Sequence, residues 1–206
     1  LSVRSWLTVA IVSQLSFFSA ESTPPDVADL AGVLAAQGQP VTVSGRTRIS
    51  VVVDATWRAH AVADLIESCG VDAEITTTDE GRPLVRTEPV AELASLAEAW
   101  VRGAVKAVPE GWVPGPRALR AWVVAAGRQE AGGARFVLGL DPHAPDTHPV
   151  LAQSLMRAGV APTLVGTHGG SPALRITGRR RVSRLIENIG EPPPGALAAG
   201  GWPIST

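Results

Sequence analysis

Cysteine is nearly absent from this 206-residue chain, and the one present, Cys69, excludes an intramolecular disulfide and any thiolate metal cluster. That usage fits a reducing, cytoplasmic setting. Cys69 ends the apolar helix pattern LIESCG, where a thiol serves as a small core residue rather than a nucleophile. Tyrosine is missing, and lysine is reduced to Lys106 against 17 arginines, a compositional habit of high-GC genomes. Long apolar runs are missing too. The opening LSVRSWLTVAIVSQLSFFSA is interrupted at Ser13 and Gln14 and places Phe18 where a leader cleaved after Ala20 needs a small residue. No membrane span is expected, and a cleaved leader on a secreted domain is the weaker alternative. Glycine-rich phosphate loops, nucleophile elbows and Ser/His/Asp arrangements are absent as well, and His60 and His168 stand alone. Asp141, His143, Asp146 and His148 share the stretch DPHAPDTHP, but its prolines describe a strand-to-helix loop with Asp146 or Thr147 as N-cap and Pro149 in the first turn. Neither a metal nor a cofactor is expected.

What is present is enough apolar sequence, 45%, to bury a sizeable core. The net charge of −1 hides an asymmetry: residues 1–112 hold 8 basic and 14 acidic side chains, and residues 113–206 hold 10 and 5. A near-neutral total argues against strong non-specific affinity for nucleic acid, while the basic second half suits phosphates or an acidic partner.

The chain also repeats itself at a spacing of 89 residues. Leu30 recurs as Leu119, Gly38 as Gly127, Gly70-Val71 as Gly159-Val160, Gly81 as Gly170 and Leu96 as Leu185, with a slip of about two residues around Asp54 and Asp141. Each copy begins with a short apolar helix pattern closed by glycine, LAGVLAAQG at 30–38 and LRAWVVAAG at 119–127. Gly32, Ala35 and Ala36, with Ala121, Ala125 and Ala126, would let the two helices approach closely along a seam.

Along the chain we expect a helix from Leu7 to about Phe17, the breaker ESTPPD, and a seam helix at 27–37 capped by Asp26. A hairpin around Ser44-Gly45, a helix at 56–69, a second hairpin at Glu80-Gly81 and a helix at 90–100 complete copy one. A Pro/Gly-punctuated connector, 101–116, leads to copy two. Its elements are a seam helix at 117–126, a poor first strand at RQEA, strand ARFVLGL, a helix at 149–158, strand PTLVG, a turn at His168-Gly169-Gly170, strand ALRIT and a helix at 178–188. The tail EPPPGALAAGGWPIST reads as loosely held, which makes Trp202 the best candidate for a partner-binding anchor. The organisation expected is 1–25 helix and linker, 26–112 repeat one with connector, 113–190 repeat two and 191–206 tail.

LAGVLAAQG resembles the signature helix of the LAGLIDADG fold of homing endonucleases. The order LTVAIVSQL, DVADLAGVLAAQGQPVTVSGR, VRGAVKAVPEGWV, RALRAWVVAAG and RLIENIG resembles more closely the endonuclease-like N-terminal part of WhiA-type sporulation transcription regulators, over about residues 7–190. The resemblance implies an α+β fold of two degenerate repeats related by a pseudo-two-fold, with paired seam helices and two antiparallel sheets forming a saddle. It implies a role in transcriptional control of division or sporulation-like development. In the nucleolytic members the eighth position of each signature helix is an acid that holds a divalent cation; here those positions are Gln37 and Ala126, so no enzymatic activity is expected. WhiA-type regulators continue into a helix-turn-helix domain, whereas 16 residues follow Gly190 here, too few for two recognition helices.

The resemblance turns the sheets toward DNA, so the strand arginines Arg46, Arg48, Arg82, Arg86, Arg135 and Arg175 are one candidate phosphate-contacting set. Arg179, Arg180, Arg181 and Arg184, at the start of the last helix, are the other. Expected partners are DNA, a full-length regulator or a second copy of the chain. The alternatives are a stand-alone protein-interaction module and a nuclease with displaced ligands such as Asp29 or Glu130.

Overall fold

A computed structural model describes residues 19–22, 24–130, 135–166 and 170–204. The helix expected at Leu7–Phe17, the turn residues His168-Gly169 and Ala131 and Ala134 at the expected strand ends lie outside them.

Asp26 starts the first repeat as expected. Its carboxylate accepts from Ala28 N at 2.8 Å while the Asp29 carboxylate accepts from Asp26 N at 2.9 Å, a reciprocal cap on the 3-10 turn Val27–Leu30. The turn runs into α1, Ala31–Ala35, which Gly38 closes by donating to Val33 O. The expected continuous helix is therefore a 3-10 turn and a short α-helix. β1, Gln39–Val43, and β2, Arg46–Val52, form the hairpin across Ser44 and Gly45, whose φ values of 52° and 75° are what a two-residue loop matching strand twist requires. α2, Thr56–Ser68, is followed by β3, Ala73–Thr77, and β4, Pro83–Thr87, and the copy closes with α3, Ala94–Trp100. The sheet order is β1-β2-β4-β3, antiparallel throughout.

The connector is more structured than its Pro/Gly content suggests. β5, Val101–Arg102, and β6, Val105–Lys106, make a small hairpin, and Trp112 packs edge-on against Trp100 at 4.9 Å between ring centres.

Copy two repeats the plan: α4, Pro116–Ala126; β7, Gly127–Gln129; β8, Arg135–Gly139; α5, Thr147–Arg157; β9, Thr163–Val165; β10, Ala173–Thr177; α6, Arg179–Ile189. Its sheet order, β7-β8-β10-β9, is that of the first. The poorly marked first strand exists, but it begins at the cap glycine and grows directly out of α4. α1 and α4 pack side by side. At their crossing a Cβ on Gly32 would run into the Ala118 carbonyl and come 2.8 Å from Trp122 N, so glycine sets how closely the helices approach. Ala35, Ala36, Ala121 and Ala125 are buried around it and Ala126 is half-buried. Ile49, Val51 and Val85 from one sheet and Phe136, Leu138, Leu174 and Ile176 from the other turn inward to one continuous apolar core.

The tail is not loose. Trp202 is only 2% exposed, with the Arg120 guanidinium 5.2 Å from its ring centre, and Gln129 N donates to Gly200 O. Trp57 packs against Gly195 and Gly201, so the glycines that made the segment look flexible are the ones that admit an indole. Trp202 is a core residue, and its expected role as a partner anchor is withdrawn.

Candidate nucleic-acid interface

Alternation along β2 buries Thr47, Ile49 and Val51 and leaves Arg46, Arg48 and Ser50 on the face away from the helices. Register places Arg86 beside Ser50, Val41 beside Arg48 and Val43 beside Arg46. The three arginines thus share one shallow groove with exposed Val41 and Val43. Arg46 donates through Nε to Pro89 O at 2.9 Å, whereas the buried Nε of Arg48 makes no hydrogen bond. The facing carboxylate is Glu74, the register partner of Arg86.

On the second sheet Arg128 and Arg175 both pair with Val137, and Arg135 pairs with Thr177, so all three lie on the outer face. Here a carboxylate intervenes. Arg175 donates to Glu130 at 2.7 Å and Arg135 reaches it at 3.9 Å. The hydrogen bond from Arg175 holds the Glu130 carboxyl below its usual range and raises Arg175 in turn.

Between the sheets, at the ends of α1 and α4, lies a cleft of about 310 Å³ lined by Gln37, Asp54, Arg58, Arg82, Ala126 and Arg128 among others. Each helix end presents carbonyls with no partner in its own helix, and each is covered by a buried cation. At α4 it is Arg58, 4% exposed, which donates to Val124 O at 2.7 Å, to Val123 O at 3.4 Å and to Gly127 O, with Nε on Asp54 at 2.7 Å. At α1 it is Lys106, which donates to Ala36 O at 3.0 Å and pairs with Asp141 at 3.1 Å. Burial lowers the proton affinity of both cations, and the paired carboxylates oppose the shift. Asp141 also accepts from Gln39 Nε2 at 2.6 Å and from His143 N at 2.9 Å.

Of the expected arginines, Arg46, Arg48 and Arg86 gather on one outer face, Arg135 and Arg175 gather on the other, and Arg82 sits at the cleft paired with Glu80 at 2.8 Å. Arg179, Arg180, Arg181 and Arg184 are exposed on α6, which packs on α4 in the helical layer, so the structure separates them from the strand arginines. Arg184 lies over the Gly159 turn. Neither Asp29, paired with Arg117, nor Glu130 lines the cleft, which removes both as displaced ligands there. The sequence reading missed Arg58, Lys106 and Arg128.

A layered arrangement of paired helices beneath two equivalent antiparallel sheets is the LAGLIDADG fold. The chain superposes on full-length DUF199/WhiA from Thermatoga maritima with a TM-score of 0.58 at 16% identity, over 81% of this chain and 55% of that one. It superposes on the N-terminal LAGLIDADG domain of DUF199/WhiA at 0.55 and 13%, over 81% and 82%. For the homing endonuclease I-WcaI bound to its DNA recognition sequence the values are 0.57 and 9%, over 89% and 90%. The chain therefore spans 55% of the full-length WhiA structure and most of its N-terminal domain. No protein-family model and no curated protein sequence matches the chain. Among the described residues no helix is long and apolar enough to cross a membrane.

Proposed function

We propose that the chain is a non-enzymatic, DNA-associated regulator of the WhiA type, acting in the cytoplasm in transcriptional control of cell division or sporulation-like development. The observation that carries this reading is the display of Arg46, Arg48 and Arg86 on one outer sheet face and Arg128, Arg135 and Arg175 on the other. The homing endonuclease solved with its DNA shares the fold. Guanidinium groups on strands engage the backbone phosphates and set register on the duplex; sequence choice then rests with a partner, a full-length regulator or a second copy. The residues at the helix ends do not fit a divalent cation. Gln37 offers an amide and Ala126 offers no donor, and Asp54, the one carboxylate lining the cleft among the described residues, is engaged by Arg58. Among the described residues no three of His, Cys, Asp and Glu gather to hold a metal.

Incubation with supercoiled plasmid and Mg²⁺, followed on a gel, tests the non-enzymatic part. Retarded but intact plasmid is expected. Mg²⁺-dependent nicking would make the chain a nuclease, and no retardation at low salt would make it a protein-interaction module.

A further inference from the structure

We propose that the chain docks on a second copy of itself, the cationic face of α5 and α6 in one molecule meeting the acidic face of α2 and α3 in the next. The proposal goes beyond the DNA-associated reading and uses helix surfaces rather than the sheet arginines.

Position by position, these two faces are one surface in two charge states. Leu93 and Trp100 of the first copy and Val182 and Ile189 of the second are buried at the 89-residue spacing, so the exposed residues between them correspond as well. Glu92 answers to Arg181, and at the ends of α2 and α5 Glu67 answers to Met156. On the cationic face Arg179, Arg180, Arg181 and Arg184 are exposed. Arg184 lies over the Gly159 turn that follows Met156 and Arg157, both exposed. On the acidic face Glu67, Asp72, Glu88 and Glu92 are exposed, and Glu88 N donates to Asp72 O at 2.8 Å, which joins the end of α2 to the entry of α3. Among the described residues none of these arginines or carboxylates makes an ion pair.

Both faces are unfavourable in an isolated chain. The first turn of α6 carries three arginines and no acid, at the end where the helix dipole repels cations, and Arg180 and Arg184 repel one another one turn apart. α2 has the reverse arrangement: its last turn holds Glu67 and no basic residue, where the dipole repels anions, and exposed Asp64 lies three residues before it. Bringing the start of α6 against the end of α2 relieves both helix ends with one contact, and Met156, 57% exposed, supplies an adaptable apolar contact. The imbalance extends to the halves, with 14 acidic side chains against 8 basic in residues 1–112 and 5 against 10 in residues 113–206. Like faces repel, so the charges also fix the polarity of the contact: cationic meets acidic, and neither meets its own kind. Complementarity of this sort sets register and speeds encounter more than it adds affinity, so the association is weak and salt-sensitive.

Sedimentation velocity of the full chain without DNA tests this. At low salt the weight-average sedimentation coefficient is expected to rise with protein concentration, and to return to the monomer value as salt shortens the screening length to about 3 Å at 1 M. R181E/R184E and E67R/E92R change only exposed positions, and each is expected to weaken association at least about tenfold. The combined variant, R181E/R184E/E67R/E92R, exchanges the signs and is expected to recover association, which a general loss of stability could not do. A monomer at every concentration at low salt would overturn the proposal. So would association that persists in R181E/R184E, since the contact would then lie elsewhere, or that the combined variant fails to restore. A fall of about two in the log–log salt slope of duplex binding by R181A/R184A would assign these arginines to phosphate and overturn the second copy as their occupant. Failure of the chain to bind DNA leaves the sedimentation outcomes as they are.

Discussion

The two copies share a backbone plan and differ in how they handle charge. At the end of α4 the covering cation, Arg58, is paired with Asp54, whose side chain is 75% exposed; at the end of α1, Lys106 is paired with Asp141, 3% exposed. The outer faces differ as well. The first sheet carries Arg46, Arg48 and Arg86 with Val41 and Val43 between them, while the second ties Arg175 and Arg135 to Glu130. The same fold thus accommodates one helix end sealed by a buried ion pair and one open to the cleft, and one sheet face on which a carboxylate ties two arginines while, among the described residues, Arg46, Arg48 and Arg86 on the other make no ion pair. Position in the repeat fixes where a cation is needed; the partner it is given decides whether it is structural or available.

That difference gives the largest expected effects. Lys106→Met would strand the Asp141 carboxylate in the interior and is expected to cost about 3–5 kcal/mol in chemical denaturation. Arg58→Met leaves Asp54 in water and costs roughly 2–3 kcal/mol, mostly from uncovered carbonyls. Equal losses in the two variants would break the contrast between the sealed and open ends. Asp141→Asn and Asp54→Asn sharpen it: about 3 kcal/mol for the first, where Lys106 keeps a buried charge without its counterion, and under about 1 kcal/mol for the second.

The tail adds a third asymmetry, because it packs Trp202 under Arg120 of the second seam helix. Trp202→Ala is expected to cost about 3–5 kcal/mol in thermal or chemical unfolding. An unchanged unfolding midpoint would return the residue to the surface.

A smaller effect follows from Glu130. Glu130→Gln releases Arg175 and should raise duplex affinity a few-fold in fluorescence anisotropy, while Glu74→Gln on the other sheet does less. Because Arg175 holds the Glu130 carboxyl below its usual range, the pair stabilises the fold above that range. The contribution is lost as the pH falls through the depressed value. Denaturation midpoints of wild type and Glu130→Gln should therefore converge on acidification.

Much of the fold was legible because its marks are local. Ser44-Gly45 announces a tight hairpin, Asp26 with Asp29 announces a helix start, and Gly32 announces a close crossing, each through backbone chemistry confined to a few residues. The strand arginines were singled out through the resemblance, which turns the sheets toward DNA, and alternation along β2 then puts Arg46 and Arg48 on one outer face. Arg58 and Lys106 were not, because each acts on carbonyls about 65–70 residues away. The four-residue spacing of Asp54 and Arg58, and the presence of a single lysine in the chain, were the available hints. Arg128 was hidden in a strand of three residues, too short for a period to show. The tail was misread because glycine and proline signal looseness in isolation, yet these glycines make room for Trp57.

The most direct measurement is anisotropy of labelled duplex DNA titrated with the full chain at several salt concentrations, with Mg²⁺ and with a chelator. The account predicts binding that falls steeply with salt, with a slope near 0.9 per phosphate contacted, and that needs no Mg²⁺, which competes for the same phosphates and only weakens it. Binding that requires Mg²⁺, or no binding at low salt, would contradict it.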